Sequence, residues 1–369
     1  MSRRSALSGL GLLAVGACGA SPQATGGASA APGPMPARRF GAEWESHVRT
    51  VMAWPASAGI WADLLPEVRA DIARLARAIG EYEEVVMLAR PAQVAAARAA
   101  CGGGVLVVPI PVDDLWTRDT VPVFVEEAGE VHGVDFNFNG WGRKQTHDHD
   151  AAVAEAVLDR FDIPGIDTWL VAEGGSFETD GKGTLMATES SLVNDNRNPG
   201  RSRADIEAEL RRVLGLRKVI WFEGVRGQDI TDAHVDYLAR FTPSGAVLLD
   251  RAAPGTPPDV WTRVADQAHA TLTESTDADG RPVEVIEVFQ PDDVDLGPDA
   301  VISYLNFSVT NDAVFLPEFG DREADDRAAQ LLRDHFPDRD IIGIRIDAIA
   351  SGGGGIHCAT HDQPGEPAN

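Results

Sequence analysis

The chain has 369 residues and a formal net charge of −25 at pH 7. An acidic excess of this size repels nucleic acid and anionic membrane surfaces, so we expect neither as a partner. Hydrophobic residues make up 44% of the sequence and charged residues 24%, which is typical of a soluble globular protein that can bury a large core.

The first 18 residues have the pattern of an export signal. A twin-arginine pair, Arg3 and Arg4, precedes an apolar run from Ala6 to Ala17 that is too short to cross a bilayer as a mature helix. The small residues before Cys18 are typical of a lipoprotein cleavage site, and a lipid on Cys18 would then tether the protein to a membrane. Cleavage nearby without a lipid is the alternative. We predict that the mature protein works in the periplasm or outside the cell.

The remaining sequence divides into a tether and one domain. Residues 19–37 are rich in Gly, Ala, Ser and Pro, which predicts a disordered tether. Residues 38–365 are predicted to form a single domain. Its two cysteines, Cys101 and Cys358, provide no disulfide framework beyond one bridge between them and no Cys-x-x-Cys zinc motif. We therefore predict neither a metal nor a cofactor.

One supersecondary pattern recurs along the domain: a strand, a helix and a second strand, followed by a loop with polar residues. The spacing of about 50 to 60 residues is in the range of blade-like arrays. The copies are predicted at residues 85–109, 121–171, 184–222, 246–289 and 313–346. The second copy includes predicted strands at 131–138 and 167–171.

Five such units around an axis would direct their loops toward one end of the molecule. These loops contain the residues that could perform chemistry: Asp119, Glu173, His234 with Asp236, Asn306 and Cys358. We therefore predict a closed five-bladed α/β array with one pocket. A doubly wound α/β sheet, which also gathers its loops at strand ends, is the alternative.

Cys358 follows a run of four glycines at 352–355. Glycine has no Cβ, so this run lets the backbone turn sharply and approach a ligand closely. A cysteine placed there is predicted to be a nucleophile; a flexible loop before a buried thiol is the alternative. The run is not a phosphate loop, because no Lys followed by Ser or Thr comes after it. His357 adjoins the cysteine, so we expect its side chain to point away and do not assign it as the base.

His234 and Asp236 are two residues apart. On an extended chain their side chains would share one face, because side chains alternate along a strand. We predict that His234 is a general acid or base and Asp236 its charge partner. A metal site is the alternative, but the nearby His147 and His149 lie in a charged loop that we expect to be solvated.

Asp119 lies three residues after Trp116. A carboxylate beside an aromatic ring can bind a planar guanidinium through two parallel hydrogen bonds while the ring stacks on it. A surface ion pair between Arg118 and Asp119 is the alternative. Glu173 precedes two glycines, so it either orients another catalytic group or serves only as a turn residue.

Eight short segments, each weak alone and specific in this order, span roughly residues 38 to 365. They are Met52-Ala53-Trp54-Pro55, Trp116-Thr117-Arg118-Asp119-Thr120, Phe138-Asn139-Gly140-Trp141-Gly142, Glu173-Gly174-Gly175-Ser176, Asn196-Arg197-Asn198-Pro199, His234-Val235-Asp236, Tyr304-Leu305-Asn306-Phe307 and Gly353-Gly354-Gly355-Ile356-His357-Cys358. Together they resemble the family of agmatine deiminases and bacterial, Porphyromonas-type peptidyl-arginine deiminases. The resemblance implies a five-bladed α/β propeller of guanidino-group-modifying enzymes.

The resemblance also assigns roles to individual residues. The implied catalytic residues are Cys358 as nucleophile, His234 as general acid and base, and Glu173 as the acid that pairs with the histidine. The implied substrate-binding residues are Asp119 and Asp236, which grip the guanidinium, with Trp116 lining the pocket and Asn306 at a more variable position.

The implied reaction is hydrolytic deimination through a covalent Cys-thiouronium intermediate, which yields a ureido product and ammonia. The substrate would be a cationic guanidino small molecule, agmatine or arginine, or an arginine-containing peptide. Agmatine-specific members typically have a glycine before the His-Val-Asp segment, where this chain has Ala233. The sequence therefore leaves open which group the substrate carries at the end remote from its guanidino group.

The alternatives are an amidinotransferase of the same fold and a non-catalytic exported protein that binds cationic ligands. A cysteine protease is a weaker alternative, because a pocket with three acids suits a cation better than the neutral carbonyl of a peptide.

Overall fold

Short strands joined by helices make up the computed structural model, which describes residues 38–292 and 294–366. The predicted export signal (1–18) and tether (19–37) lie outside these residues. The described residues belong to one compact unit. No helix within them is long and apolar enough to cross a membrane.

Seventeen strands and eleven α-helices follow one another along the described residues. The strands are β1 Arg38–Arg39, β2 His47–Ala53, β3 Glu84–Leu88, β4 Val105–Val108, β5 Val123–Glu127, β6 Glu130–Val134, β7 Gly165–Ile166, β8 Glu178–Thr179, β9 Thr184–Thr188, β10 Lys218–Phe222, β11 Ala239–Phe241, β12 Val247–Arg251, β13 Val285–Phe289, β14 Ser308–Val309, β15 Ala313–Glu318, β16 Asp340–Arg345 and β17 His361–Pro364. The α-helices are α1 Ala58–Trp61, α2 Leu65–Ile79, α3 Val94–Cys101, α4 Thr117–Thr120, α5 Gly140–Arg143, α6 Val153–Phe161, α7 Glu189–Leu192, α8 Arg203–Leu214, α9 Val260–Thr273, α10 Arg322–His335 and α11 Asp347–Ala350.

Within the described residues, the strands form five separate sheets of three or four strands. Their orders are β17-β2-β3-β4, β1-β5-β6-β7, β10-β9-β8, β11-β12-β13 and β14-β15-β16. Each sheet combines antiparallel and parallel pairing. In each of them, one parallel pair is joined through a helix: β2–α2–β3, β6–α6–β7, β9–α8–β10, β12–α9–β13 and β15–α10–β16. The alternative of one doubly wound sheet is therefore wrong, and the fold is a mixed α/β architecture.

From β2 onward, the chain passes from sheet to sheet in sequence order. It leaves each sheet from the last parallel strand and enters the next through a strand that pairs antiparallel. The last strand, β17, pairs with β2, so the C-terminal segment returns to the first sheet. Five connections thus link the sheets, and they contain the predicted site residues.

Helix α8 shows how local sequence sets an element's ends. Ser202 and Asp205 form a capping box, in which each side chain accepts a hydrogen bond from the other's backbone N–H. Gly215 ends the helix in the left-handed conformation, with φ 71°. The helix lies within the copy that the sequence predicts at residues 184–222.

The predicted strand at 167–171 is wrong. Only the two-residue strand β7 forms, because the backbone beyond it bonds to side chains instead of to a neighbouring strand. The N–H of Val171 donates to Asn198 Oδ1 over 3.0 Å, and its C=O accepts from Asn198 Nδ2 over 2.9 Å. The predicted strand at 131–138 likewise ends at Val134, and Asn137 has a positive φ of 54°.

Helix α2 is absent from the predicted elements. Val68, Ile72, Leu75 and Ile79 repeat at helical spacing and are all fully buried. Their core also contains residues of the site connections, including Trp116. The site therefore rests directly on packed apolar side chains.

Candidate active site

The predicted site residues lie in the five connections between sheets. Asp119 is in α4, Glu173 lies between β7 and β8, His234 and Asp236 lie between β10 and β11, Asn306 lies between β13 and β14, and Cys358 lies between β16 and β17. Binding residues on connections between rigid sheets are a common arrangement.

Three of these side chains converge on Gly175. A Cβ built on this glycine would lie 2.6 Å from His234 Nδ1, 2.9 Å from Asp119 Oδ1 and 3.2 Å from Asp236 Oδ2. The N–H of Gly175 donates to Asp119 Oδ1 over 3.0 Å, and its C=O accepts from the Asp236 N–H over 3.3 Å. Any larger residue at position 175 would separate the three groups.

The glycine run brings Cys358 close to two other site residues. A Cβ on Gly354 would lie 2.4 Å from Trp116 Cζ3, and one on Gly355 would lie 2.6 Å from Asn306 Oδ1. The absence of side chains at both positions therefore permits this close approach. The Cys358 N–H donates to Asn306 Oδ1 over 3.2 Å, which anchors the cysteine backbone.

The thiol of Cys358 lies between an amide and a carboxylate. Asn306 Nδ2 is 3.2 Å from Sγ, and Sγ is 3.4 Å from Asp236 Oδ2. Burial, followed by the nearby carboxylates of Asp236 and Asp119, raises the pKa of the Cys358 thiol well above its usual value. The thiol is therefore protonated at neutral pH in this arrangement of charges.

The ring of His234 is surrounded by acids. Its Nε2 is 3.3 Å from Glu173 Oε2, and its Nδ1 is 3.9 Å from Asp119 Oδ1. Burial by itself lowers the pKa of His234, but Asp119, Glu173 and Asp236 outweigh it and raise the pKa to about 9. The ring is therefore an imidazolium at neutral pH, able to donate a proton.

Glu173 is held by an arginine that the sequence analysis assigned no role. Nε of Arg197 donates to both carboxylate oxygens, over 2.8 and 2.9 Å, and its Nη1 reaches Asp232 over 2.8 Å. Burial raises the pKa of Glu173, but Arg197 and His234 outweigh it and lower the pKa below its usual value. The only sequence signal for Arg197 was its place in the Asn-Arg-Asn-Pro segment.

Asp119 is buried rather than paired on the surface. Its Oδ2 accepts from Trp141 Nε1 over 2.8 Å, and burial raises its pKa. Arg118 instead donates to Asp362 over 3.0 Å. The alternative of a surface ion pair between Arg118 and Asp119 is therefore wrong.

The backbone around His234 and Asp236 is not extended as predicted. The segment bends and turns, and Ala233 adopts a left-handed φ of 66°. Both side chains nevertheless reach the same point beside Gly175. Asp236 presents its oxygens unequally, because Oδ2 accepts from His357 Nδ1 over 2.8 Å whereas Oδ1 is buried without a hydrogen-bond partner among the described residues.

A pocket of about 170 Å³ opens above the thiol. Its lining combines three tryptophans, two aspartates and the nucleophile candidate, without arginine or lysine among the described residues: Ile60, Trp61, Asp114, Trp116, Asp119, Trp141, Gln145, Ile230, Thr231, Gly352, Gly353 and Cys358. Apolar rings with acidic groups suit a flat cation.

Two alternatives from the sequence find no geometric support. Both cysteines are free, and Cys101 lies buried at the end of α3, so the bridge between Cys101 and Cys358 is absent. His149 pairs with Asp113 over 2.8 Å and is half exposed. Within residues 38–292 and 294–366, no cluster of His, Cys, Asp or Glu is arranged to hold a metal ion.

A family model described as Porphyromonas-type peptidyl-arginine deiminase matches residues 39–364. The chain belongs to this family. The resemblance seen in the eight sequence segments is thus confirmed.

The similarity to individual family members extends over nearly whole chains. An agmatine deiminase of Medicago truncatula is 36% identical over 358 residues, covering 88% of this chain and 95% of that protein. An agmatine deiminase of Stutzerimonas stutzeri is 36% identical and covers 88% of this chain and 94% of its own. The structure of the agmatine deiminase of Enterococcus faecalis superposes with a TM-score of 0.84 at 29% identity, covering 90% of this chain and 98% of that one.

Proposed function

We propose that this enzyme hydrolyses the guanidino group of agmatine to a ureido group and ammonia. The observation that carries the proposal is the convergence of a thiol, an imidazole and two carboxylates beneath a pocket that, among the described residues, no arginine or lysine lines. It agrees with the agmatine deiminases that resemble this chain over most of its length.

In this proposal, Asp119 and Asp236 bind the two edges of the guanidinium. Asp236 has one oxygen free of protein hydrogen bonds among the described residues, and Asp119 lines the pocket. Trp116 covers a face of the planar group beside the glycine run. Holding the guanidinium carbon in line with the sulfur removes much of the orientational cost of the reaction.

Charge explains how the thiol becomes reactive. The carboxylates that raise the pKa of Cys358 in the free enzyme are neutralised when the cation binds between them. The bound cation itself then favours a thiolate, which is the nucleophilic form, and the thiol proton is released to solvent. The enzyme is thus activated by its own substrate.

His234 moves the protons of both half-reactions. The thiolate attacks the guanidinium carbon to form a tetrahedral adduct, and the His234 imidazolium protonates the departing nitrogen, which leaves as ammonia. The remaining Cys-thiouronium is attacked by water, from which neutral His234 takes a proton. The C–S bond then breaks, releasing the ureido product. Glu173 orients the ring, and Asn306 supports the sulfur.

The pocket lining favours agmatine over free arginine. Among the described residues that line the pocket, an α-carboxylate would meet Asp114 and Asp119 and no arginine or lysine, whereas an amine would meet acids and tryptophan rings. Ile230 and Thr231, from the loop preceding Ala233, line the side where the substrate's tail would lie. An arginine-containing peptide would have to pass these residues.

The site residues suggest how the five sheets are arranged. We propose that the sheets are the blades of a five-bladed α/β propeller whose connections meet at the site. Contact among residues from all five connections supports this arrangement.

We also propose that residues 1–18 direct export, that residues 19–37 tether residues 38–365 as a single catalytic domain, and that Cys18 carries a lipid. The twin-arginine pair and the small residues before Cys18 support this proposal. Fractionation of a tagged chain should place it outside the cytoplasm, and Cys18→Ala should release it from the membrane. Full-length cytosolic protein alone would contradict export.

The decisive experiment measures ureido product and ammonia from agmatine, arginine and an arginine-containing peptide, with and without an acceptor amine. We expect equal amounts of both products, with the highest kcat/KM for agmatine. Transfer to the amine would instead identify an amidinotransferase, and binding without ammonia release a non-catalytic protein.

A further inference from the structure

The side chain of His357 has a place in the site that its sequence position did not indicate. Its ring is buried, with Nδ1 2.8 Å from Asp236 Oδ2 and Nε2 3.1 Å from Glu43 Oε2. It points away from the pocket, as expected from the sequence, yet it contacts a carboxylate that faces the thiol. Ionised carboxylates only accept hydrogen bonds, so both contacts are satisfied when the ring donates from both nitrogens.

Glu43 is itself fixed firmly. Its Oε2 accepts from Arg240 Nη2 over 2.5 Å, and its Oε1 accepts from the Val309 N–H over 2.8 Å. Burial raises the pKa of Glu43, but Arg240, His357 and Arg118 hold it well below its usual value. The group behind His357 is therefore an ionised carboxylate that has no freedom to turn.

The backbone of this assembly is tied to the site. The His357 N–H donates to the Asn306 C=O over 3.0 Å. Arg240 Nη1 donates to the C=O groups of Leu305 and Phe307, over 3.0 and 2.9 Å. The residues on both sides of Asn306 are thus held by the same arginine that holds Glu43.

These contacts decide which oxygen of Asp236 is available. Oδ2 is engaged by His357, with Asn306 Nδ2 and the Cys358 thiol each 3.4 Å away. Oδ1 has no hydrogen-bond partner among the described residues although it is buried. A buried carboxylate oxygen without a donor is costly unless a ligand supplies one.

We propose that His357 is a positioning residue: anchored on Glu43, it fixes Oδ2 of Asp236 so that Oδ1 is presented to the substrate's guanidinium. This inference rests on the proposed deiminase function. It gives the residue next to the nucleophile a function distinct from that of His234, because His357 holds a binding group in place and touches neither the substrate nor the leaving ammonia.

Two substitutions separate the two bonds of the ring. His357→Asn keeps an N–H near the position of Nδ1, so it retains the bond to Asp236 and loses the one to Glu43. His357→Gln keeps an N–H near the position of Nε2, so it retains the bond to Glu43 and loses the one to Asp236. Each variant loses one buried hydrogen bond, so their melting temperatures should fall by similar amounts.

We expect His357→Gln to weaken agmatine binding and lower kcat/KM by about 10- to 100-fold, the size of a lost hydrogen bond to a charged group, with His357→Asn at least about tenfold better than His357→Gln. Binding is measured by calorimetry in a Cys358→Ser background, and kcat and KM in the otherwise unsubstituted chain.

Equal losses of agmatine affinity in the two variants would overturn the positioning role and leave the deiminase function intact. Failure of the unsubstituted chain to deiminate agmatine would overturn the proposed function and this inference with it. A rise in Kd confined to His357→Gln supports the proposal, because a merely structural role would affect both variants alike.

Discussion

Two chains of buried groups flank the thiol, and each has the order carboxylate, imidazole, glutamate, arginine. We call the first the pocket arm, made of Asp119, His234, Glu173 and Arg197, and the second the inner arm, made of Asp236, His357, Glu43 and Arg240. The arms differ in the distance between the Nδ1 atom of the imidazole and the aspartate oxygen.

In the pocket arm, His234 Nδ1 lies 3.9 Å from Asp119, too far for a hydrogen bond, whereas in the inner arm His357 Nδ1 lies 2.8 Å from Asp236. A loosely held ring can pass a proton to a leaving group, while a tightly held ring keeps a carboxylate oriented. The difference teaches that similar residue sets serve proton transfer or positioning according to their contacts.

The largest effect should come from removing the group that both arms serve. Cys358→Ser should lower kcat at least about 10³-fold, because a hydroxyl is not ionised by the same charges. Agmatine binding by calorimetry and the melting temperature should stay close to those of the parent. The matched control is Cys101→Ala, which removes a thiol whose pKa burial raises to about 11. Loss of ureido formation in this control would contradict the assignment.

The next largest effect should distinguish the two imidazoles. His234→Asn should lower kcat by about 10²- to 10⁴-fold, the usual contribution of general acid–base catalysis, with little change in agmatine Kd. His357→Asn, which keeps its bond to Asp236, should lose far less kcat. Mass spectrometry of the chemically quenched reaction tests whether ammonia loss is the affected step, since His234→Asn should not accumulate a thiouronium adduct on Cys358. Similar kcat values for the two variants would remove the proposed difference between the arms.

The arginines at the ends of the arms should matter for stability. Arg197→Met and Arg240→Met each remove the arginine that pairs most closely with a buried glutamate, which should cost about 3–5 kcal/mol of unfolding free energy in urea. Arg240→Met should cost more, because Arg240 also donates to two backbone carbonyls and lies 4.4 Å over the Phe307 ring. Arg322→Met is the control, since Arg322 is 94% exposed. A larger loss for Arg197→Met would reverse the ranking.

The smallest effect concerns the charge of the pocket arm. Among the carboxylates that raise the pKa of His234, Asp119 has the largest effect. Asp119→Asn should therefore lower the pKa of His234 from about 9 by roughly one unit. The imidazolium would then persist only to a lower pH. An NMR titration measures this, with the signal assigned by its absence in His234→Asn. An unchanged titration would show that Glu173 and Asp236 alone hold the proton.

Regular elements were predictable where local patterns are strong. Strands β9 and β10 and helix α8 end where the apolar periods and the caps of the sequence end. The prediction of a strand at 167–171 was wrong because Asn198, distant in sequence, forms hydrogen bonds with the backbone of Val171. No local pattern can reveal such a partner.

The site was predictable in its residue types and less so in its geometry. The sequence indicated Cys358, His234 and the acids, whose roles remain predictions. It missed Arg197 and Glu43, because both act through contacts across many residues. It also placed His234 and Asp236 on an extended chain, whereas the turn after Ala233 brings them together.

By itself, the sequence determined the family, the repeated strand–helix–strand units and the chemically reactive residue types, because these depend on local periodicity and short ordered motifs. Only the tertiary structure decided which nitrogen of each histidine meets which acid and which oxygen of Asp236 is left free. Those choices follow from distances between segments that come together only when all five sheets have formed.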